Sequence, residues 1–306
     1  MPGACHNGGM SESPVIIDRE LLRARTRRAR ALGPSTFLLD RVAEDLADRL
    51  ASVLRHFACA LDLGTPTDAV RRLLAASGKV GTIVAADALA QDRGGLAVAA
   101  DAEALPFADG SLDLVFSALA LHFVNDLPGT LIQIRRALRG DGLFVAAMLG
   151  GETLTELRQA FAAAEAEIEG GISPRVLPFA DVRELGALLQ RAGLALPVTD
   201  VDRLTVRYAS PLALMHDLRR MGAANPLLER RRAPLRRATL ARMLEIYAAR
   251  FADPDGRIRA TFDVVHLLGW APHESQQQPL VPGSARTRLA DALGAQERSA
   301  GEKAQR

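Results

Sequence analysis

Cysteine is almost missing: in 306 residues only Cys5 and Cys59 carry a thiol. Neither a disulfide framework nor a cysteine-ligated zinc site can be written from so few, and a reducing compartment, the cytoplasm, is the expected setting. Long apolar runs are missing too. The longest, Leu114–Val124 with His122 inside it and Gly142–Gly151, fall short of the roughly 20 residues that a membrane-spanning helix needs, so no membrane span is expected. There is also little charge of one sign: 38 basic against 36 acidic residues leave a formal +2, too small a field to argue for nucleic acid. Lysine is confined to Lys79 and Lys303. The arginine and alanine that stand in its place mark a GC-rich genome, expected to be bacterial, rather than a phosphate-binding surface. No histidine–carboxylate pair with a distant histidine stands out as an iron triad, and no metal is expected.

Apolar residues make up 48% of the chain, ample for a core. Residues 1–13 are polar and Gly/Ser-rich and read as a flexible tail, as does 286–306. The Arg-rich stretch Asp18–Arg30 carries Asp18 and Glu20 and has no secretory apolar core, so it reads as an ordinary helix and not a targeting segment. Periodicity predicts helices over Arg19–Ala31 and Phe37–Arg55, filling an N-terminal helical segment of residues 14–55. The pattern then changes. Short apolar runs at Phe57–Leu63, Val80–Ala86, Leu96–Ala100, Leu112–Ser117 and Gly142–Met148 alternate with helical stretches at Thr67–Ala76 and Asn125–Leu138. Strands of that kind, apolar throughout, belong to a parallel sheet covered on both faces.

The expected fold is therefore α/β: a Rossmann-like, doubly wound, mostly parallel seven-stranded sheet with a helical N-terminal extension and helical insertions. Residues 56–149 form its nucleotide-binding core, and 150–285 complete it with a helical lid. That second part reads as an insertion (Gly150–Pro178), a helix (Asp181–Ala192), a strand (Thr199–Tyr208), a long helical stretch (Pro211–Phe251) and a final strand (Ile258–Trp270). The Arg219–Arg237 run on the lid reads as a solvated face.

In such sheets ligands bind at the carboxyl ends of the strands. The first strand ends in Asp62-Leu63-Gly64, and Asp87 ends the second, where a carboxylate accepts hydrogen bonds from ribose hydroxyls. Asp101 ends the third. Strand-end acids beside a turn glycine, with neither a GxGxxG run nor a P-loop lysine, favour a nucleoside cofactor without phosphate, and S-adenosylmethionine fits.

The run LPFADGSLDLVFSALALHFVNDLPGTLIQIRRALRGDGLFVAAM, within Leu96–Met148, resembles the core of class I S-adenosylmethionine-dependent methyltransferases. The resemblance implies an adenine side at Asp101 and Ala102, a fourth strand at Leu112-Asp113-Leu114-Val115, and a cofactor site assembled from Asp62, Gly64, Thr65, Asp68, Asp87, Asp101, Ala102 and Ser117. The chain departs from the family at the first motif, D-x-G-x-G-x-G, because Pro66 and Asp68 replace two glycines. Pro66 fixes φ and removes an N–H, and Asp68 adds a Cβ and a charge. Asp68 either caps the following helix or meets the cofactor's ammonium.

Further on, LHFVNDLPGTL, MLGGETLTELRQAF, EGGISPRVLPFADVRELGALLQRAG, MHDLRRMGAAN and LLGWAPHESQQQPLVPGSA resemble the mitochondrial complex I assembly factors related to biotin-pathway methyltransferases. The implied partner is a protein substrate, an iron–sulfur subunit of NADH dehydrogenase modified on arginine. That family is described as hydroxylating, and methyl transfer, as well as a catalytically silent chaperone, remain alternatives beside it. The residues themselves supply His122 and Glu152 as catalytic candidates. Glu152, Trp270, His273, Glu274 and Gln276 are the candidates for a substrate mouth: carboxylates pair with a guanidinium, and a Trp face stacks on it. Two plainer readings stand beside these, His122 as a packing or capping residue and Glu152 as a helix N-terminal residue.

Overall fold

The computed structural model describes residues 15–89 and 95–277, together with 284, 287 and 289–296. The expected tail at 1–13 and most of 286–306 lie outside the described residues. Two units are present, one ending at Pro272 and one beginning at His273. Within the second, His273–Gln276 forms a turn, with Gln276 N–H on His273 O at 3.2 Å, and Leu289–Leu293 forms a short helix.

The first unit opens with α1 (Arg19–Ala31) and α2 (Phe37–Ala51) and continues as β1 (Phe57–Leu63), α3 (Ala69–Ala76), β2 (Val80–Asp87), β3 (Leu96–Ala99) and β4 (Leu112–Ala118). After these come α4 (Leu127–Ala137), β5 (Leu138–Gly150), α5 (Thr155–Glu169), α6 (Val182–Arg191), β6 (Ala195–Tyr208), α7 (Pro211–Arg220), α8 (Arg237–Phe251) and β7 (Ile258–Trp270). The strands form one seven-stranded sheet in the order β3-β2-β1-β4-β5-β7-β6, parallel through β5 and antiparallel at β7 and β6. The expected doubly wound architecture is present.

Amphipathic faces explain the layering. Leu38, Leu39, Val42 and Leu46 of α2 and Leu157, Phe161 and Ala164 of α5 pack with Val145, Ala147, Phe262 and Val264 of the sheet into one core. Leu131 and Ile134 of α4 and Leu185 and Leu189 of α6 close the other face against Phe144, Ala146, Val265 and Leu267. Phe144 is fully buried at the middle of β5. Phe144→Ala should cost about 3–5 kcal/mol, the loss expected for an aromatic side chain deleted from a packed core, measured as the change in unfolding free energy in urea.

One expected element is divided. The helical stretch Pro211–Phe251 is two helices, α7 and α8, because Gly222 adopts φ +77° just after α7 and Pro226 and Pro234 follow in the connection. Helix α6 keeps a full capping box, with the Asp181 side chain accepting from Arg183 N and Glu184 N and Glu184 reaching back to the Asp181 N–H.

Candidate functional site

Strands β1, β2, β3 and β4 run parallel and so end at one edge. Leu63 lies opposite Ala86 and Asp87 opposite Ala99, with Asp101 two residues past β3. At the exit of β1 the chain turns through Gly64, whose φ of +74° is left-handed and whose N–H bonds Ala86 O at 2.8 Å. A Cβ there would stand 3.0 Å from the Ala120 methyl. The first-motif glycine that the chain kept is therefore the one that its turn needs.

Not every expected contact is presented to a ligand. Thr65 and Ser117 are fully buried: Thr65 Oγ1 accepts the Ala118 N–H at 3.2 Å, and Ser117 Oγ donates to Leu63 O at 2.7 Å. These hydroxyls tie the ends of β1 and β4 together, which corrects the expectation that they face the cofactor. Asp62 is likewise buried, 3.1 Å from Arg71 Nε of α3. Asp68 occupies the position before α3 without a side-chain cap bond. It is exposed and lies 3.5 Å from Arg72, so the capping role drawn from sequence is not what its carboxylate does. Ala102 is half-buried against the α4–α6 core.

The two outer acids meet arginines from α1, a feature absent from the sequence reading. Arg30 places Nη2 3.3 Å from Asp87 Oδ2 and Nη1 2.8 Å from Leu89 O. Arg19 bridges Asp101 and Glu103, and Arg23 stands 3.4 Å from Asp101. Burial alone would raise the Asp101 pKa, but the Glu103 N–H and Arg19 outweigh it and hold the carboxyl below its ordinary value.

Beside this edge lies a cavity of about 280 Å³, just under the roughly 300–1,000 Å³ of small-molecule pockets, a size suited to a side chain or a short acyl group. Its floor is Leu119, Leu149 and Leu154 at the strand ends, its roof is Met215, Leu218 and Met221, and Thr26, Ala29 and Arg30 of α1 form one wall. Leu119 and Leu154 have φ of 53° and 56°, left-handed values that non-glycine residues adopt at a cost and that cluster at functional sites. Arg30, Arg175, Arg219 and Arg220 line the cavity, and among the described residues no carboxylate does.

His122 also lines it, in a short 3₁₀ turn after β4, its ring tilted at 45° to that of Phe123 with centroids 4.2 Å apart and edge-on to Phe179 at 6.0 Å. Its Nδ1 accepts the Leu149 N–H at 3.4 Å, which leaves the proton on Nε2. Burial pushes its pKa down to about 3, so at neutral pH the ring is an uncharged hydrogen-bond donor and a poor general base. A histidine whose folded pKa lies below its ordinary 6.5 resists protonation. It costs nothing above that pH and destabilises the fold as pH falls from about 6.5 toward 3. Melting at pH 7.5 and 4.5 should show a larger acid-induced drop for the wild type than for His122→Gln. An equal drop would place the acid sensitivity elsewhere.

Within the first unit, the expected substrate residues Glu152 and Trp270 are not brought together. Glu152 is exposed and outside the cavity lining. Its backbone N–H bonds Asp263 Oδ2 at 3.1 Å, and α5 begins only at Thr155, with no side-chain cap from Glu152. Trp270 pairs with Leu143, which lies opposite Leu114 near the start of β4, so it sits towards the edge opposite the acids. The physical reason is direction: β7 is antiparallel, and its end points away from the carboxyl edge. His273, Glu274 and Gln276 belong to the second unit, where His273 Nδ1 and Ser275 Oγ are 2.7 Å apart.

Sequence reasoning also missed the network that holds Arg175, and with it the Arg175–Leu177 part of the cavity lining. Glu165, fully buried on α5, accepts from Ser173 N at 2.7 Å and Ser173 Oγ at 2.8 Å and from Arg175 Nε at 2.8 Å, and Arg175 stacks over Phe161 at 5.3 Å. Among the described residues no three His, Cys, Asp or Glu side chains gather as a metal site, and no helix is long and apolar enough to cross a membrane.

Residues 61–146 match the family model of a methyltransferase domain. Over nearly its whole length the chain is similar to the mitochondrial arginine-hydroxylase NDUFAF5 of Danio rerio, 38% identical over 291 residues that cover 90% of this chain and 89% of that protein. The Homo sapiens protein of the same name is 39% identical over 88% of this chain and 81% of its own length. A malonyl-[acyl-carrier protein] O-methyltransferase of Gallionella capsiferriformans is 34% identical over 84% of this chain and 92% of its own. Among solved structures, a Bacillus halodurans methyltransferase candidate superposes with a TM-score of 0.52 at 16% identity, covering 75% of this chain and all of that one. That likeness speaks to the fold alone.

Proposed function

The chain belongs to the class I S-adenosylmethionine-dependent methyltransferase superfamily, in the family of the NDUFAF5 arginine hydroxylases, and from that premise we propose that it modifies an arginine of a protein partner during respiratory complex I assembly. The carrying observation is the reach of the similarity, about 40% identity to the hydroxylase relatives over 88% to 90% of this chain. The partner we propose is an iron–sulfur subunit of NADH dehydrogenase, and the setting a bacterial cytoplasm, a reading supported by the arginine-for-lysine composition and the free thiol of Cys59. Deleting the gene in a host that has complex I should leave the enzyme immature. Normal NADH dehydrogenase assembly in that strain would remove the reading.

The carboxyl edge fits S-adenosylmethionine. Gly64 is a cradle that a Cβ would fill, Asp87 stands where ribose hydroxyls would be held, and Asp101 with Ala102 offers the adenine side. When bound, the cofactor supplies an already activated methyl group, so the protein's contribution is proximity, orientation and exclusion of water. The apolar floor at Leu119, Leu149 and Leu154 excludes water, and neutral His122 offers an Nε2–H to an acceptor atom of a substrate. Hydroxylation, the activity in the relatives' name, converts C–H to C–OH. It consumes dioxygen and a two-electron donor, with the second oxygen atom leaving as water.

A second reading is favoured by one observation. The cavity lining holds Arg219 and Arg220 besides Arg30 and Arg175, which pair with Asp87 and Glu165, and no carboxylate among the described residues, which suits an acyl chain ending in an anionic carboxylate better than a guanidinium. Carboxyl O-methylation of an acyl-carrier thioester would use such a pocket. Rescue of a biotin auxotroph lacking its own methyltransferase separates the two readings. Failure to bind S-adenosylmethionine at millimolar ligand in calorimetry would leave a silent assembly chaperone.

A further inference from the structure

Helix α1 touches both halves of the site. Its Arg19 and Arg23 bridge to Asp101, its Arg30 sits on Asp87, and Thr26, Ala29 and Arg30 also wall the cavity. The Asp87 side chain keeps only 12% of its surface under this cover. A ribose that takes both carboxylate oxygens needs the face that Arg30 occupies, because Oδ2 faces Arg30 and Oδ1 already accepts the Leu89 N–H.

The other side of α1 is tied independently. The Asp18 N–H bonds Pro226 O at 2.8 Å, Arg230 pairs with Asp18 at 3.1 Å, Arg25 donates to Asn225 O, and Arg220 Nε reaches Gly33 O at 2.8 Å. The helix is thus anchored to the segment after α7, whose Ala223, Ala224 and Asn225 line the cavity, while its arginine face rests on the nucleoside acids. Those arginine contacts are part-exposed ion pairs, individually weak and screened by salt, a strength that a ligand can overcome.

We propose that α1 is a cofactor-operated latch: Asp87, when engaged by ribose hydroxyls, releases Arg30, and the loosened helix opens the cavity wall that it forms, so that cofactor binds before substrate. The proposal rests on the cofactor part of the functional reading alone. It is indifferent to whether arginine or an acyl carboxylate is modified, and loss of the complex I phenotype would not touch it.

S-adenosylhomocysteine is the probe, read by calorimetry and by hydrogen exchange of the full chain. Removing the contacts in Arg19→Ala/Arg23→Ala/Arg30→Ala should tighten its binding roughly tenfold, the combined effect of individually weak, part-exposed pairs and a change that corresponds to about 1.4 kcal/mol. In the wild type, saturation with the probe should speed exchange at the α1 amides. Equal or weaker binding by the triple variant overturns the latch, as does α1 protection that is unchanged or increased on saturation. If the triple variant does not fold, the wild-type exchange result decides. If the wild type does not bind the probe at millimolar concentration, binding that appears in the variant supports the latch, and none in either overturns it.

Discussion

Glu165→Ala is expected to lower the unfolding free energy by about 3–5 kcal/mol, the loss seen when one partner of a buried charge pair is removed. Glu165 is fully buried and its carboxylate satisfies two groups of Ser173 as well as Arg175, whose side chain is itself only 18% exposed. Truncation leaves that guanidinium under a protein roof and the Ser173 N–H without its acceptor. Burial on its own would raise the Glu165 pKa, but the Ser173 N–H and Arg175 outweigh it and hold the value below the ordinary 4.5. A carboxyl with a depressed folded pKa contributes stability above its ordinary range and loses it as pH falls through the folded value. The gap between wild type and Glu165→Ala in urea unfolding should therefore be full at pH 7 and shrink in acid below the ordinary carboxylate range. A gap that stays constant down to pH 3 would mean the lost packing, not the ion pair, sets the cost. Because Arg175, Val176 and Leu177 line the cavity, limited proteolysis of the variant should also cut first within 171–178.

The parts of this molecule that periodicity writes plainly are those buried on both faces. Strands β1, β4 and β5 are apolar runs because helices cover both sides of the sheet, and their positions followed from that alone. The acids at the ends of β2 and β3 were legible for the same reason: a parallel sheet delivers all its strand ends to one edge. Trp270 was misplaced because a strand's direction leaves no mark in its own periodicity. β7 reads as an apolar run whether parallel or antiparallel, and its antiparallel pairing carries Trp270 to the far edge. Thr65 and Ser117 misled in another way, since a small hydroxyl at a strand end looks alike whether it faces a ligand or a neighbouring backbone group, an N–H for Thr65 and a carbonyl for Ser117.

Arginine was the deeper blind spot. The stretch RELLRARTRRARA was legible as a helix, capped by Asp18 accepting from Leu21 N at 3.0 Å. Which acids its guanidinium groups would meet is a tertiary fact. Arg19 and Asp101 are 82 residues apart and Arg30 and Asp87 are 57 apart, and balanced composition hides such pairs because each cancels in the net charge. The same cancellation concealed Arg203, bidentate on buried Asp263 at 2.8 and 2.9 Å, which fixes the chain where β5 leads into α5 through the Glu152 N–H.

Asp87→Ala should weaken S-adenosylmethionine binding at least tenfold. One charge-assisted hydrogen bond to a ribose hydroxyl is worth about 1.5–3 kcal/mol, and 1.4 kcal/mol is a factor of ten. Removing Asp87 also frees Arg30, so the measured loss understates the hydrogen bonds by whatever the released latch contributes. The double variant Asp87→Ala/Arg30→Ala should therefore bind about as weakly as Asp87→Ala, while Arg30→Ala alone binds more tightly. The turn before α3 gives the contrast. Asp68 is exposed and faces Arg72, 3.5 Å away, so Asp68→Gly should change affinity by less than threefold if its carboxylate serves only that surface pair, whose worth is about 0.3–0.5 kcal/mol. Pro66→Gly restores a backbone N–H and freedom in φ beside the cradle, and should tighten binding. Gly64→Ala, with a left-handed φ of +74° and a Cβ 3.0 Å from the Ala120 methyl, should lose both affinity and stability. Calorimetric titration of these variants orders them. Unchanged affinity in Asp87→Ala would show that the ribose is not held at the end of β2, and the acids there would then serve only to seat α1.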